Sequence, residues 1–478
     1  MLFNSFAFAV FFPLVFILYW SIFNKKSVRI RNLFLLFASY VFYGWWDYRF
    51  LSLIIISSLL DYLIGKQLYK INQVHKKKIL LWVSIAVNIG LLGFFKYFNF
   101  FADSFSDLFA LFNIHLSRTT LHIVLPVGIS FYTFQTLSYT IDIYRKQAKP
   151  AKDWIQFFAF VSFFPQLVAG PIERAKNLLS QFETLKKPDY RVFRSAMMLI
   201  AWGFFKKMMI ADRLAVFVEN VYENPASANG LPMITGVVFF AFQLYFDFSA
   251  YSDIARGTGT IFGFNLMKNF NNPYLAASFG NFWKRWHISL SSWFMDYVYI
   301  PLGGNRKGKT RTLFHVLIVF AVSGLWHGAS WNFVIWGILN ALFMIVLDPI
   351  LNLRHKTSLS HIFKSLLIFS MWAVSLIFFR AKGFSAAIDS FKNLGFGNSH
   401  EIVNFGLTHT ELILSFILLI VAILKEMADE WKIEGIESWF YKKPGIFRWI
   451  FYIAFVLTIV FLGQYGTGNE HSFIYFQF

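Results

Sequence analysis

Two apolar runs, Leu313-Phe-His-Val-Leu-Ile-Val-Phe-Ala-Val-Ser-Gly-Leu-Trp-His327 and Trp331-Asn-Phe-Val-Ile-Trp-Gly-Ile-Leu-Asn-Ala-Leu-Phe-Met-Ile-Val-Leu347, are separated only by Gly328-Ala-Ser330. No Lys, Arg, Asp or Glu lies between Arg311 and Asp348. Runs of this composition read as membrane-spanning helices, and so short a connection makes them a tight hairpin. His327 falls at its turn, flanked by Trp326 and Trp331, with Gly324 and Gly328 leaving room for close backbone approach. A titratable imidazole at bilayer depth is costly and marks a functional site more often than a packing one. The bland alternative is a core histidine bonded to a backbone carbonyl.

The rest of the chain agrees with a membrane setting. Of 478 residues, 57% are hydrophobic and 14% charged, with a mean hydropathy of +0.53. Soluble domains carry about 25% charged residues. The aromatic share, 21%, suits interfacial belts and tunnel walls. The net charge of +19 is spread over short loops between apolar runs. That is the positive-inside pattern, so membrane lipids and not nucleic acid are the expected partners of the basic residues. There is no cysteine. This excludes disulfides, Cys-ligated zinc and a thiolate nucleophile; a covalent acyl carrier here must be Ser, Thr, Tyr, Lys, His or a carboxylate.

Further apolar runs lie near 2–22, 32–45, 50–65, 79–98, 121–140, 195–218, 232–250, 362–380, 409–424 and 446–463. Basic loops follow the first, third and fifth, whereas 46–49 and 99–120 read as weakly charged connections on the other side. Nothing basic precedes residues 2–22, so they read as an anchor with its N-terminus outside and not as a cleaved signal peptide. Residues 154–170 have basic residues on both sides and carry Pro165 and Gly170. A re-entrant segment fits them, because irregular backbone at depth must be buried or line a cavity. A second is expected near 286–301, and 425–445 reads as a surface helix. The expected fold is an all-α polytopic membrane protein of about twelve crossings plus two re-entrant elements. It forms a single domain over 1–478, with both termini outside and an extracytoplasmic aromatic tail at 464–478.

Formal motif matches say little. Gly303-Gly-Asn-Arg-Lys-Gly-Lys-Thr310 satisfies the pattern of a phosphate-cradling loop, but an aromatic membrane segment precedes it where a strand is required. No H-E-x-x-H and no G-x-S-x-G occurs. Tyr245-Phe-Asp-Phe-Ser-Ala-Tyr-Ser-Asp253 places Asp247 and Asp253 at the end of a span; they can bind substrate or cation, or simply partner Arg256, and the structural reading is the simpler. In Phe282-Trp-Lys-Arg-Trp-His-Ile-Ser-Leu-Ser-Ser-Trp293, Lys284 and Arg285 can meet an anionic donor beside His287, itself readable as an ordinary interfacial histidine.

Taken together, several stretches resemble the membrane-bound O-acyltransferase (MBOAT) family, in its bacterial alginate O-acetyltransferase-like branch. They are Phe164-Pro-Gln-Leu-Val-Ala-Gly-Pro-Ile-Glu-Arg174, Tyr245 to Asp253, Trp286-His-Ile-Ser-Leu-Ser-Ser-Trp293 with Ile300-Pro-Leu-Gly-Gly-Asn305, Ser323 to Trp331, and the ending Phe473-Ile-Tyr-Phe-Gln-Phe478. The resemblance implies the MBOAT fold around a central tunnel, with the family's invariant histidine at His327 and its second active-site position at His287. Trp326, Trp331, Asn332, Lys284, Arg285 and Asp253 are then the expected substrate-binding residues.

The implied activity is transfer of an acyl group, acetyl in the first instance, from a cytoplasmic thioester such as acetyl-CoA across the bacterial inner membrane. No bound cofactor or metal is expected. An extracytoplasmic SGNH or esterase-like acetyltransferase partner would place the group on an exported or cell-wall polysaccharide such as alginate. In related D-alanylation systems a similar ending on a small partner peptide presents a tyrosine thought to carry the acyl group, which maps to Tyr475; the plain alternative is an interfacial anchor. Rival readings are a D-alanyl transferase and, in a different class, a transporter of a small acid or lipid.

Overall fold

The computed structural model describes residues 1–116, 121–352, 358–395, 405–431, 439–464 and 473–474. Among the described residues there are helices and no strands, the arrangement that lets a backbone satisfy its own polar groups without water. Seven helical stretches among the described residues are long and apolar enough to cross a membrane. The chain divides into two compact units, Met1–Ile200 with Ile254–Lys268, and Ala201–Asp253 with Asn269–Phe478.

The first unit contains α1 (Phe6–Ser21), α2 (Val28–Asp47), α3 (Leu51–Lys70), α4 (Val74–Leu92), α5 (Phe98–Ala110), α6 (Ile129–Tyr144), α7 (Trp154–Ser162), α8 (Ala175–Leu178) and most of α9 (Tyr190–Phe204). Ser5 and Ser27 cap the first two helices by accepting the N–H groups of Phe8 and Ile30. Between α3, α4 and α6, the buried carboxylate of Asp61 accepts Ser84 Oγ at 2.5 Å, Asn88 Nδ2 at 2.8 Å and Thr140 Oγ1 at 3.1 Å. Helical spacing supplies these donors, without which a buried carboxyl is not tolerated.

Two expectations change here. The first part of the connection expected at 99–120 is helical. A π-helical turn, Gly93–Tyr97, leads straight into α5, whose Phe98, Phe101, Phe105 and Leu108 recur at helical spacing. Similarly, the helix that carries the span expected at 409–424 runs on past it to Glu430, and Lys425–Asp429 at 2.5 Å braces the extension. Residues 432–438 of the expected surface helix lie outside the described residues.

At the expected first re-entrant segment, α7 has nine residues, under half of what a crossing of roughly 20 residues needs. Residues 163–174 follow without regular helix and are buried throughout. Several of their polar groups find partners elsewhere in the unit: Phe164 N–H donates to Ser39 Oγ, and Gln166 Nε2 to the Phe160 carbonyl. Glu173 accepts Asn177 Nδ2 at 2.6 Å and the Met267 N–H.

The second unit begins with the end of α9 and a π-helical segment, Phe205–Ala211. It continues through α10 (Asp212–Glu223), most of α11 (Leu231–Ile261), α12 (Phe279–Trp283), α13 (Ile288–Phe294), α14 (Ile300–Leu302), α15 (Lys309–His327), α16 (Trp331–Asn352), α17 (Ser358–Arg380), α18 (Phe384–Lys392), α19 (His409–Glu430) and α20 (Gly445–Leu462). The hairpin is α15 and α16. Its helices touch at Gly324 and Gly337, where an added methyl would overlap the carbonyl oxygens of Phe333 and Phe320 respectively. Small residues at a crossing are how membrane helices approach closely. Around the hairpin, Trp283, Trp286, Trp336, Trp372, Phe282 and Phe379 form an aromatic core.

Candidate active site

His327 is the last residue of α15 and is 5% exposed. Helix regularity ends at Gly328, where a side chain would run into the Phe333 ring. The imidazole is boxed by Trp326, Trp336 and Phe379, with ring centres 5.1, 5.2 and 5.5 Å away.

His287 reaches the same box from a different kind of backbone. It heads α13 with φ +42° and ψ +55°, in the left-handed region. A non-glycine residue there stores on the order of 1–3 kcal/mol and persists only if its surroundings hold it. Asn269 is the holder. Its carbonyl accepts the Ile288 N–H at 2.9 Å, its Oδ1 accepts the Ser289 N–H at 3.3 Å, and its Nδ2 donates to Ser252 Oγ on α11 at 2.9 Å. So fixed, His287 is 1% exposed, edge-on to Phe248 at 4.6 Å and 5.8 Å from Trp326. The two histidine ring centres are 6.5 Å apart. Two imidazoles from separate segments thus face one aromatic enclosure, suited to proton transfer and carbonyl polarisation away from bulk water.

The other expected residues divide. Trp326 is buried beside both histidines, 5.8 Å from His287 and 5.1 Å from His327. Asn332 is buried and donates to the Ala381 carbonyl at 3.1 Å. Trp331 is 59% exposed, and Lys284 is exposed. Arg285 forms a two-pronged pair with Glu430, 2.9 Å on each arm. Burial pushes the Glu430 carboxyl up, but the Arg285 contacts outweigh it and hold the group below its ordinary range. Tyr475 lies outside the described residues, while Phe473 and Ile474 just before it are buried.

Two lysines meet the carboxylates of Asp253 and Asp247. Lys206 Nζ lies 2.7 Å from Asp253 and 2.9 Å from Ser249 Oγ. Lys207 Nζ lies 2.5 Å from Asp247 and 2.8 Å from Asp212. Both lysines sit in the π-helical segment Phe205–Ala211, which turns them inward together. The signal was present in the sequence: two adjacent lysines inside the apolar run 195–218 need buried partners. His315 on α15 is a further buried histidine; its Nδ1 lies 2.9 Å from the carbonyl oxygen of Gly304, which belongs to a loop turned by Gly303, Gly304 and Gly308 with positive φ. A π-helical segment, Met295–Tyr299, and α14 precede that loop, so the formal phosphate-loop match has no strand before it.

Comparison with known proteins places these residues in a family. Residues 151–387 match the model of the membrane-bound O-acyltransferase family. The chain is 38% identical over 395 residues to a probable alginate O-acetylase AlgI of Pseudomonas putida, covering 81% of this chain and 79% of that one. It is 33% identical over 397 residues to a peptidoglycan O-acetyltransferase of Helicobacter pylori, covering 77% and 74%. A teichoic acid D-alanyltransferase of Streptococcus thermophilus is 29% identical over 244 residues, 48% of this chain and 58% of that one. The chain belongs to the membrane-bound O-acyltransferase family and is a multi-pass membrane O-acyltransferase.

Proposed function

We propose that this enzyme takes an acetyl group from a cytoplasmic thioester, acetyl-CoA or another acyl thioester, and moves it across the bacterial inner membrane for O-acetylation of an exported or cell-wall polysaccharide. The observation that carries this reading is the pair His287 and His327, 6.5 Å apart inside one aromatic enclosure. The relatives named for acetylation of alginate and peptidoglycan support the acetyl group and the polymer class. The D-alanyltransferases match a smaller share of the chain.

In this reading neutral His327 is the general base. It takes the proton of the attacking hydroxyl as the oxygen adds to the thioester carbon; the C–S bond then breaks, and the proton leaves with the sulfur as a thiol. His287 positions or polarises the thioester carbonyl, and Trp326 separates the pair from solvent. Lys284 meets the anionic part of the donor, whereas Arg285 acts through Glu430. Tyr475 is the hydroxyl that first receives the acetyl group, in a chain that has no cysteine to do so. An extracytoplasmic esterase-like partner then transfers it to the polysaccharide. Both termini face outside in this scheme, as the basic loops require.

Proteoliposomes supplied with labelled acetyl thioester on the cytoplasmic face test the reading. Label appearing on protein, or on glycan when a partner is present, is expected. Uptake of free acid without covalent label would assign a transporter, and preference for a D-alanyl thioester would assign the other transferase. Intact mass of the terminal peptide should show an acetyl adduct on Tyr475. Its absence under trapping conditions would remove the carrier role.

A further inference from the structure

Ile474 lies at the far end of the chain, yet its backbone N–H donates to Asp247 Oδ2 at 2.8 Å, in the middle of α11. The other oxygen of that carboxylate holds Lys207 at 2.5 Å, and Lys207 also meets Asp212 at 2.8 Å. The Phe473 ring lies over the same ammonium, 4.4 Å from Nζ, and edge-on to Tyr251 at 4.8 Å. Phe473 and Ile474 are 1% and 3% exposed. One cation therefore stands between two buried carboxylates, and the terminal segment supplies a further donor and an aromatic face. A buried ion pair is seldom a gain in stability over apolar packing, so this cluster is weak evidence for a purely stabilising role.

The start of the tail is tied to the same region. Gln464 N–H donates to the Met208 carbonyl at 2.9 Å, and Arg213 to the Leu462 carbonyl at 2.6 Å. On α11, Asp247 is followed directly by Phe248, whose ring meets His287 at 4.6 Å. Asp247 and Tyr251 hold the tail on the helix that also walls the histidine pair.

We propose that Lys207 and Asp247 form a seat for the C-terminal segment of this chain, and that acyl transfer requires the tail to be seated there. Lys207 and Asp247 are thus positioning residues for the segment that continues into Tyr475; this rests on the carrier role proposed above. The seat recognises a backbone N–H and an aromatic ring, so the residue at 474 must keep its N–H whatever its side chain.

The natural absence of cysteine gives a direct test. In the full chain, Ile474→Cys provides a single buried thiol with its N–H intact. Its labelling by a maleimide should quicken about tenfold or more when Asp247→Asn is added, in line with losing a hydrogen bond to a charged group. Ile474→Pro removes the N–H that Asp247 accepts while leaving Lys207, Asp247 and Asp212 in the chain, and should transfer acetyl about tenfold more slowly than Ile474→Val at equal protein level. Unchanged labelling with Asp247→Asn, or equal transfer by the Pro and Val variants of an active enzyme, would overturn the seat. If the unaltered chain proves to transfer no acyl group, the carrier reading fails while the labelling contrast still decides whether the tail is seated.

Discussion

The two histidines arrive at one enclosure by opposite means. His327 ends a regular 19-residue helix, and its position follows from helix packing against α16 through Gly324 and Gly337. His287 heads a seven-residue helix in left-handed backbone, held by hydrogen bonds that Asn269, eighteen positions earlier in the chain, accepts from Ile288 and Ser289. The first arrangement is set by shape and fails by steric clash. The second is set by polar contacts at distant positions and fails when a single donor or acceptor is lost. A site built in both ways has one half that tolerates little added volume and another that tolerates little loss of polarity.

The sharpest break of the first half is Gly337→Val. Its side chain would overlap the Phe320 carbonyl, a backbone atom that cannot swing away, so a loss above about 3 kcal/mol and little folded protein are expected. Thermal unfolding and yield in detergent check this; a stable, active variant would mean the hairpin is not held at the glycines. The second half breaks at Asn269→Ala. Losing the bonds to Ser289 and Ser252 should cost about 2–4 kcal/mol and lower acyl transfer about a hundredfold, while the α15–α16 hairpin remains folded. Loss of activity in step with unfolding alone would show that Asn269 is merely structural.

A smaller effect is expected at Glu430→Gln, which weakens the brace on Arg285 by about 1 kcal/mol. Because the folded carboxyl is held below its ordinary value, its contribution is full above about pH 4.5 and is lost as the pH falls through the folded value. The variant should therefore differ from the parent at neutral pH and converge with it in acid, read by unfolding at both pH values. A constant difference at every pH would exclude the Arg285–Glu430 pair as its source.

How much of this was readable beforehand follows the same division. Apolar period and length gave the hairpin and His327 at its turn, because a membrane helix is specified by its own residues. The histidine at 287 was visible as a residue type, but Asn269 was not, since a hydrogen bond across the fold leaves no local pattern. Lys206 and Lys207 lie within an apolar run, and their carboxylate partners Asp253 and Asp247 are forty positions or more away in sequence, so no local pattern announces the pairs. The helix over 98–110 carries Asn99, Asp103 and Asp107 among its phenylalanines, which blurs the apolar run that marks a membrane helix.

The central claim is that His287 and His327 act on one reacting group. Single-turnover acyl transfer should be measured for His287→Ala, His327→Ala and the double variant at equal, folded protein level. Each single variant is expected to lose about 10²–10⁴ in rate, with the double variant scarcely worse than the poorer single one, because members of one catalytic unit are not additive. Losses that multiply independently, or a His327→Ala enzyme that transfers acetyl at the parent rate, would contradict it.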